Sequence, residues 1–499
     1  MTNLSRRGVL LGAAPFVGSE VSSPASAADK RKGAAKRPKD GSIWTTSYTD
    51  KRVWGFADCH SVDSGGHFNL VLSVPSGDKP TRGFVEVYRI GPEPQADMPL
   101  IWRSGPVTVE GRRVQPTTAA IGADWPVSIS AVGTNGWRSG YYTIHFVGED
   151  GRRDSDVAYI VITNPARDGD ILFIAGTNTY QAYNNWGGYS FYESALTGER
   201  AQMLSFDRPA TAEFFNFDYF LVSFIERVAA KSGLKVDYAT NWDIHRDARF
   251  SVNPRLLISG GHNEYWSKEE FDHVWERIFV RGGHTMFLGA NAAYWQIRYA
   301  DVHAAPQGDN LGRQMICFKG SGDPISHRVG PTDKMKLVTD LFRAGGRRPE
   351  NMLTGNAYQS FFNSTQEAFP VYPYTVARND FPFYEGTGLK RGDQVGPLVG
   401  YEWDNIDPAG DGVRLWNQQS VIPLIPRENL KVLFEGRPID ASGKQGLAEA
   451  VLFETPAGAR VFSAGSNRWG WGLGKPGFVN VAFTKLNENM ISWMLDRKF

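Results

Sequence analysis

Residues 170–192 read DILFIAGTNTYQAYNNWGGYSFY, and this stretch decides the fold of the larger part of the chain. After a Gly-Asp turn come five apolar residues, 171–175, with none of the polar alternation of a half-exposed strand. Such a run fits a strand covered on both faces, as in a sheet with helices on either side. Ligands of open α/β sheets bind beyond the carboxyl ends of such strands. The next segment, crowded with Tyr, Asn, Trp and Gly, is therefore expected to be one wall of a site or an aromatic loop packed back on the sheet, since Tyr and Trp bury large areas wherever they land.

Downstream the pattern alternates between strands and helices. Phe217, Phe220, Leu221, Phe224, Ile225 and Val228 recur at helical spacing within residues 213–231, and Gly233 marks the stop. KVDYAT (235–240) and RLLISGG (255–261) read as strands, 268–281 as a helix closed by Gly282-Gly283, and HTMFLGA (284–290) as a further strand. This order predicts a largely parallel, doubly wound sheet. Strands near LVGYEW, KVLFEG, AVLFET and ARVFSAGS and a helix over 479–495 complete a domain spanning 165–499.

Upstream, residues 45–164 change to short alternating runs (HFNLVLSV, GFVEVYRI, WPVSISAV, YYTIHFVG, VAYIVIT) separated by Gly, Pro, Asp and Asn. That spacing predicts an Ig-like β-sandwich. His60, His67 and His145 have no partners at ligand spacing and are expected to be satisfied sandwich histidines. Residues 28–44 form a basic linker containing KRKGAAKRPK. Before it, Ser5-Arg6-Arg7, an apolar stretch over 8–17 and Ala25-Ser26-Ala27 make residues 1–27 a twin-arginine-type signal. The mature chain is therefore expected to be extracytoplasmic (periplasmic or secreted), with the Tat export machinery as a transient partner.

Composition narrows the partners further. A formal charge of +1 gives no global basic field for nucleic acid. No stretch of about 18 uninterrupted apolar residues occurs, so no stable membrane insertion is expected once the signal is removed. The two cysteines, Cys59 and Cys317, exclude a disulfide framework and leave either two buried thiols or one isolated pair.

Three predicted strand ends collect polar groups: Thr177 to Asn184 after the first, Gly260-Gly261-His262-Asn263-Glu264-Tyr265-Trp266 after the second, and Gly289-Ala290-Asn291 after the third. Adjacent strands would point one carboxylate, one imidazole, several phenols and several carboxamides into one crevice. His262 and Glu264, two apart, share a face in an extended segment, either as a metal ligand with its neighbouring donor or as a structural contact. The absence of H-x-x-x-H, CxxC and G-x-S-x-G patterns disfavours a zincin, a zinc ribbon and an α/β-hydrolase.

AYNNWGGYSFY, SFDRP (205–209), GGHNEYWS (260–267), GANAAYW (289–295), GYEWD (400–404) and AGSNRWGWGL (464–473), in this order, resemble the N,N-dimethylformamidase large-subunit family over most of residues 165–499. The resemblance implies a glutamine-amidotransferase-like α/β domain and a mononuclear non-haem iron (Fe3+) held by two tyrosinates and one glutamate. Carried onto this chain, the metal ligands are Tyr183, Tyr192 and Glu264, with Tyr189 competing with Tyr192 because the segment between the two tyrosines is short. The surrounding catalytic residues are His262, Asn291 and Glu402. What this implies is hydrolysis of a small-molecule amide: an oxygen-bound ferric ion activates water and polarises the carbonyl, Glu402 acts as base, and His262 or Asn291 holds the oxyanion. A homo-oligomer is compatible with this reading. Two others start from the same residues: a non-catalytic envelope or carbohydrate-binding protein stacking sugars on Trp186, Trp266, Trp295, Trp469 and Trp471, and a glycosidase using Glu264 and Glu402 as its carboxylate pair.

Overall fold

A computed structural model of the chain describes residues 51–92, 97–192, 194, 198–210, 213–300, 312–319, 322–330, 337–343, 348–362, 372–407 and 425–497. The signal segment and the basic linker lie outside the described residues. Nine strands form the central sheet: β1 (Ile171–Ala175), β2 (Val236–Thr240), β3 (Leu256–Ser259), β4 (His284–Phe287), β5 (Tyr372–Val376), β6 (Gln394–Val399), β7 (Lys431–Gly436), β8 (Ala448–Glu454) and β9 (Arg460–Ser463). Their spatial order is β2-β1-β3-β4-β9-β8-β7-β5-β6. The first five are mutually parallel, and from β8 onward every pairing is antiparallel. The expected largely parallel sheet thus holds for one half. Strands linked by short connections, such as β8 and β9, can only return antiparallel, because a parallel return needs a crossover of a dozen residues or more.

The continuous apolar run of β1 is explained by helices on both of its faces. Ile171, Phe173 and Ala175 share a core with Leu221, Phe224, Ile225 and Val228 of helix α2 (Tyr219–Ser232) and with Leu486, Met490 and Ile491 of helix α4 (Val481–Met494). Leu172 and Ile174 point the other way, into a core with Phe271, Val274 and Ile278 of helix α3 (Lys268–Phe279). Helix α2 stops where the sequence says, at Gly233 in the left-handed region (φ 62°). KVDYAT and RLLISGG are not neighbours: β2 and β3 flank β1, with short helices Asn241–Arg246 and Arg249–Val252 between them in sequence. LVGYEW is two elements, since β6 ends at Val399 and a separate strand, Glu402–Asn405, pairs with Ala357–Phe361.

The N-terminal region folds as two sheets over one core. Strand His67–Pro75 contributes Phe68, Leu70, Leu72 and Val74, while strands Thr81–Arg89 and Gly140–Gly148 contribute Val85, Val87, Tyr142, Ile144 and Phe146. Gly140–Gly148 pairs antiparallel with Arg153–Thr163 around the turn at Glu149-Asp150-Gly151. These sheets pack directly on the larger domain. Arg89 forms a buried two-pronged ion pair with Glu226 of α2, at 2.6 and 3.2 Å, and Tyr141 stacks on Phe214 with ring centroids 3.6 Å apart. Cys59 and Cys317 are both free thiols, Cys317 buried and Cys59 half-buried. Among the described residues no helix is long and apolar enough to cross a membrane.

Candidate metal centre

The carboxyl ends of four adjacent parallel strands, β1, β3, β4 and β9, converge on one buried cluster. After β1 the chain does not form the expected loop: Thr177–Tyr183 is a short helix, α1, every residue of which is buried. Its last residue, Tyr183, donates its hydroxyl hydrogen to Glu264 Oε2 at 2.8 Å. Tyr192, farther along the same segment, donates to Glu264 Oε1 at 2.9 Å and lies 3.0 Å from Oε2. The two rings stack with centroids 4.3 Å apart, and the Glu264 backbone N–H donates to Thr179 Oγ1 at 2.9 Å, tying α1 to the segment after β3. Tyr189, the competing candidate, bridges Ser194 through its backbone, and its carbonyl accepts from Arg208.

His262 stands beside this triad. Its Nε2 is 3.5 Å from Glu264 Oε2 and 3.1 Å from Glu402 Oε2, and its Nδ1 is 3.6 Å from Glu213 Oε2. Glu402 Oε2 also accepts from Asn291 Nδ2 at 3.3 Å and from Asn467 Nδ2 at 3.0 Å. Asn291 sits just beyond β4 with φ 56°, a conformation that Asn tolerates better than most residues, and its backbone N–H is bound by Asp404 at 2.9 Å. All six expected site residues, Tyr183, Tyr192, Glu264, His262, Asn291 and Glu402, therefore fall in one cluster.

The electrostatics follow from burial. Burial, and after it the charge of Glu264, pushes both the Tyr183 and Tyr192 phenols well above their usual range. Neutral phenols facing a carboxylate donate to it; they become anionic ligands only when a cation compensates the concentrated negative charge. Burial opposes a charged His262, but the charge of Glu402 and the contacts with Glu213, Glu264 and Glu402 outweigh it and hold the imidazole well above its usual range. Burial would likewise raise Glu264, yet His262 lowers it, whereas burial keeps Glu402 raised.

The donor set fits a small hard cation. Ligand oxygens about 2.0–2.2 Å from one ion lie about 3 Å from each other, and the phenol and carboxylate oxygens here are 2.8–3.0 Å apart. Among the described residues no three of His, Cys, Asp and Glu converge as a metal site; two phenols with one carboxylate are a donor set suited to a hard, oxygen-seeking metal.

Several residues of the site were not legible in the sequence. Lys319 places its ammonium 3.3 Å from the Tyr192 ring centroid and 4.8 Å from that of Trp295, and burial pushes it down to about 7. It comes from an irregular segment with no periodicity to mark it. Tyr265 donates to the Tyr192 hydroxyl at 2.6 Å, and Tyr401 lies edge-on to His262. Glu213 is hidden inside a helical pattern, and Asn467 lies within AGSNRWGWGL, whose strand end adds a fourth wall.

Comparison with known proteins identifies the family. No curated protein is significantly similar to the chain. Among solved structures, a ThuA-like protein from Bacteroides uniformis is 11% identical over 66% of this chain and 91% of its own, with a TM-score of 0.30. A cycloisomaltooligosaccharide glucanotransferase from Paenibacillus, solved with cycloisomaltoheptaose, is 9% identical over 54% of this chain and 34% of its own, with a TM-score of 0.16. The sequence model of one family, described as N,N-dimethylformamidase beta subunit-like, C-terminal, matches residues 84–481, starting within the N-terminal sheets and taking in the whole cluster. The chain belongs to the N,N-dimethylformamidase beta subunit-like family.

Proposed function

We propose that this protein is an exported, iron-dependent hydrolase that cleaves the carbon–nitrogen bond of a small-molecule amide. The observation that carries the reading is the approach of the Tyr183 and Tyr192 hydroxyls to within 3.0 Å of the Glu264 carboxylate. Family membership supports a dimethylformamidase-like hydrolase. The twin-arginine-type signal supports export to an extracytoplasmic location. In the same reading the N-terminal sheets are an Ig-like module and the larger domain is glutamine-amidotransferase-like.

Tyr183, Tyr192 and Glu264 would hold the metal; when bound there, ferric iron supplies a hard Lewis acid that acidifies water and polarises a carbonyl. Glu402 is the base that takes the proton from the attacking water. Its Oε2 accepts from Asn291 and Asn467 and pairs with His262 Nε2 at 3.1 Å, so Oε1 is the oxygen assigned to proton uptake. Once Glu402 is neutral, His262 Nε2 and Asn291 Nδ2 lose the charge they had faced and are free to donate to the developing oxyanion. The stacked rings of Tyr183 and Tyr192 form one wall of the site.

Nothing specific favours the other readings. His262 Nε2 lies within 3.5 Å of both Glu264 and Glu402, so the imidazole engages the two carboxylates that a glycosidase keeps for its substrate. Trp186, Trp266 and Trp469 are buried, which withholds them from sugar rings. The test is metal analysis of the purified mature protein with visible absorption. A tyrosinate-to-iron charge-transfer band that disappears in Tyr183→Phe and Glu264→Ala is expected, and a colourless, metal-free wild-type protein would overturn the proposal.

A further inference from the structure

Asp218 is a buried carboxylate outside the metal cluster. It closes a π-helical turn, Phe214–Asp218, that leads into α2. Single π-turns inside helices recur at functional sites, and this one carries Asp218 into the space between two ligand-bearing segments. Asp218 Oδ1 accepts the Gly261 backbone N–H at 2.6 Å, and Oδ2 accepts the Tyr180 hydroxyl. Gly261 adjoins His262 in the segment that carries Glu264, while Tyr180 lies about one turn before Tyr183 on α1.

The glycines make this approach possible. A Cβ on Gly260 would sit 2.4 Å from Asp218 Oδ1, and one on Gly261 would sit 3.0 Å from Phe217 Cβ. The N-terminal sheets brace the same bridge from behind. Tyr141 stacks on Phe214 at the start of the turn, and Tyr159 meets the Tyr180 ring edge-on at 6.2 Å.

We propose that Asp218 is a positioning residue: through Gly261 and Tyr180 it holds the Glu264 segment and the Tyr183 helix in the register that brings their oxygens together. A carboxylate suits the task because it accepts on both oxygens at once, with hydrogen bonds stronger than those to a neutral acceptor. An asparagine can keep both contacts, accepting from Gly261 through Oδ1 and donating to Tyr180; a leucine can keep neither. The metal-affinity part of the test rests on the iron reading above, and the structural part does not.

The experiment compares the full mature chain as wild type, Asp218→Asn, Asp218→Leu and Tyr180→Phe, by iron titration followed in the visible and by crystal structures of the metal-free proteins. Partners behind a ligand typically cost about 10–100-fold in metal affinity when removed, which is the loss expected for Asp218→Leu, with Asp218→Asn within about threefold of wild type and Tyr180→Phe between them. The Tyr183 Oη to Glu264 Oε2 separation, 2.8 Å in the native chain, is expected to open beyond hydrogen-bond range in Asp218→Leu and to stay closed in Asp218→Asn. A folded Asp218→Leu with the native separation overturns the proposal. If that variant does not fold, Tyr180→Phe decides, and native behaviour in both readouts overturns it. A wild-type protein that takes up no iron refutes the iron reading, and the Tyr183–Glu264 separation still decides the role of Asp218.

Discussion

The ion pair between Arg89 and Glu226 is the sharpest test of how the N-terminal sheets are joined to the domain that carries the site. Both side chains are under 10% exposed. Arg89 gives hydrogen bonds to Glu226 at 2.6 and 3.2 Å, to the Ser139 carbonyl at 2.8 Å and to the Ile90 carbonyl at 3.3 Å. Glu226 has one other donor, the Tyr238 hydroxyl at 2.8 Å. Arg89→Met therefore leaves a buried carboxylate with a single neutral donor and strips a partner from two carbonyls. Removing one member of a buried pair costs about 3–5 kcal/mol, and the stranded carbonyls place Arg89→Met at the upper end. Glu226→Leu belongs at the lower end, because Arg89 keeps Ser139 and Ile90. The double variant, with no unpaired charge, is expected to cost less than Arg89→Met alone. Urea unfolding of all four proteins, followed by tryptophan fluorescence, measures these differences. A cost below about 1 kcal/mol for Arg89→Met, the value of an exposed pair, or a double variant equal to the sum of the singles, would refute the reasoning.

Other outcomes follow from single contacts. Gly260→Ala drives a methyl to 2.4 Å from Asp218 Oδ1 and is expected to cost about 1–3 kcal/mol by overpacking, read as a lower unfolding midpoint. Asp404 is raised by burial to about 7 from its ordinary 3.8, so its contribution to stability is fully present below about pH 4 and is lost as pH rises through 7. Asp404→Asn should flatten the fall in unfolding midpoint over that window, and an unchanged slope would remove Asp404 as its cause. Tyr192→Phe should shift or abolish any iron charge-transfer band while Tyr189→Phe leaves it intact; the reverse result would exchange the two tyrosines.

Much of the local structure was readable in order along the chain. The apolar run of β1, the stop at Gly233 and the helix after Ser267 all follow from periodicity and turn chemistry. The helix at Thr177–Tyr183 was missed because five of its seven residues are Thr, Asn or Tyr, weak helix formers, with no apolar stripe, and complete burial overrides that preference. Tyr180 on that helix donates its hydroxyl hydrogen to Asp218, a contact no local pattern marks.

The sequence alone determined the residue types of the site, the strand ends that carry them and the family, because these are properties of short contiguous segments. Only the tertiary structure decided that Tyr183 meets Glu264 across 81 residues, that Glu402 from outside the central sheet reaches His262, and that Arg89 pairs with Glu226 across 137 residues. Such contacts depend on which strands become neighbours and on which side chains survive burial by finding a partner, and neither is written in any local pattern.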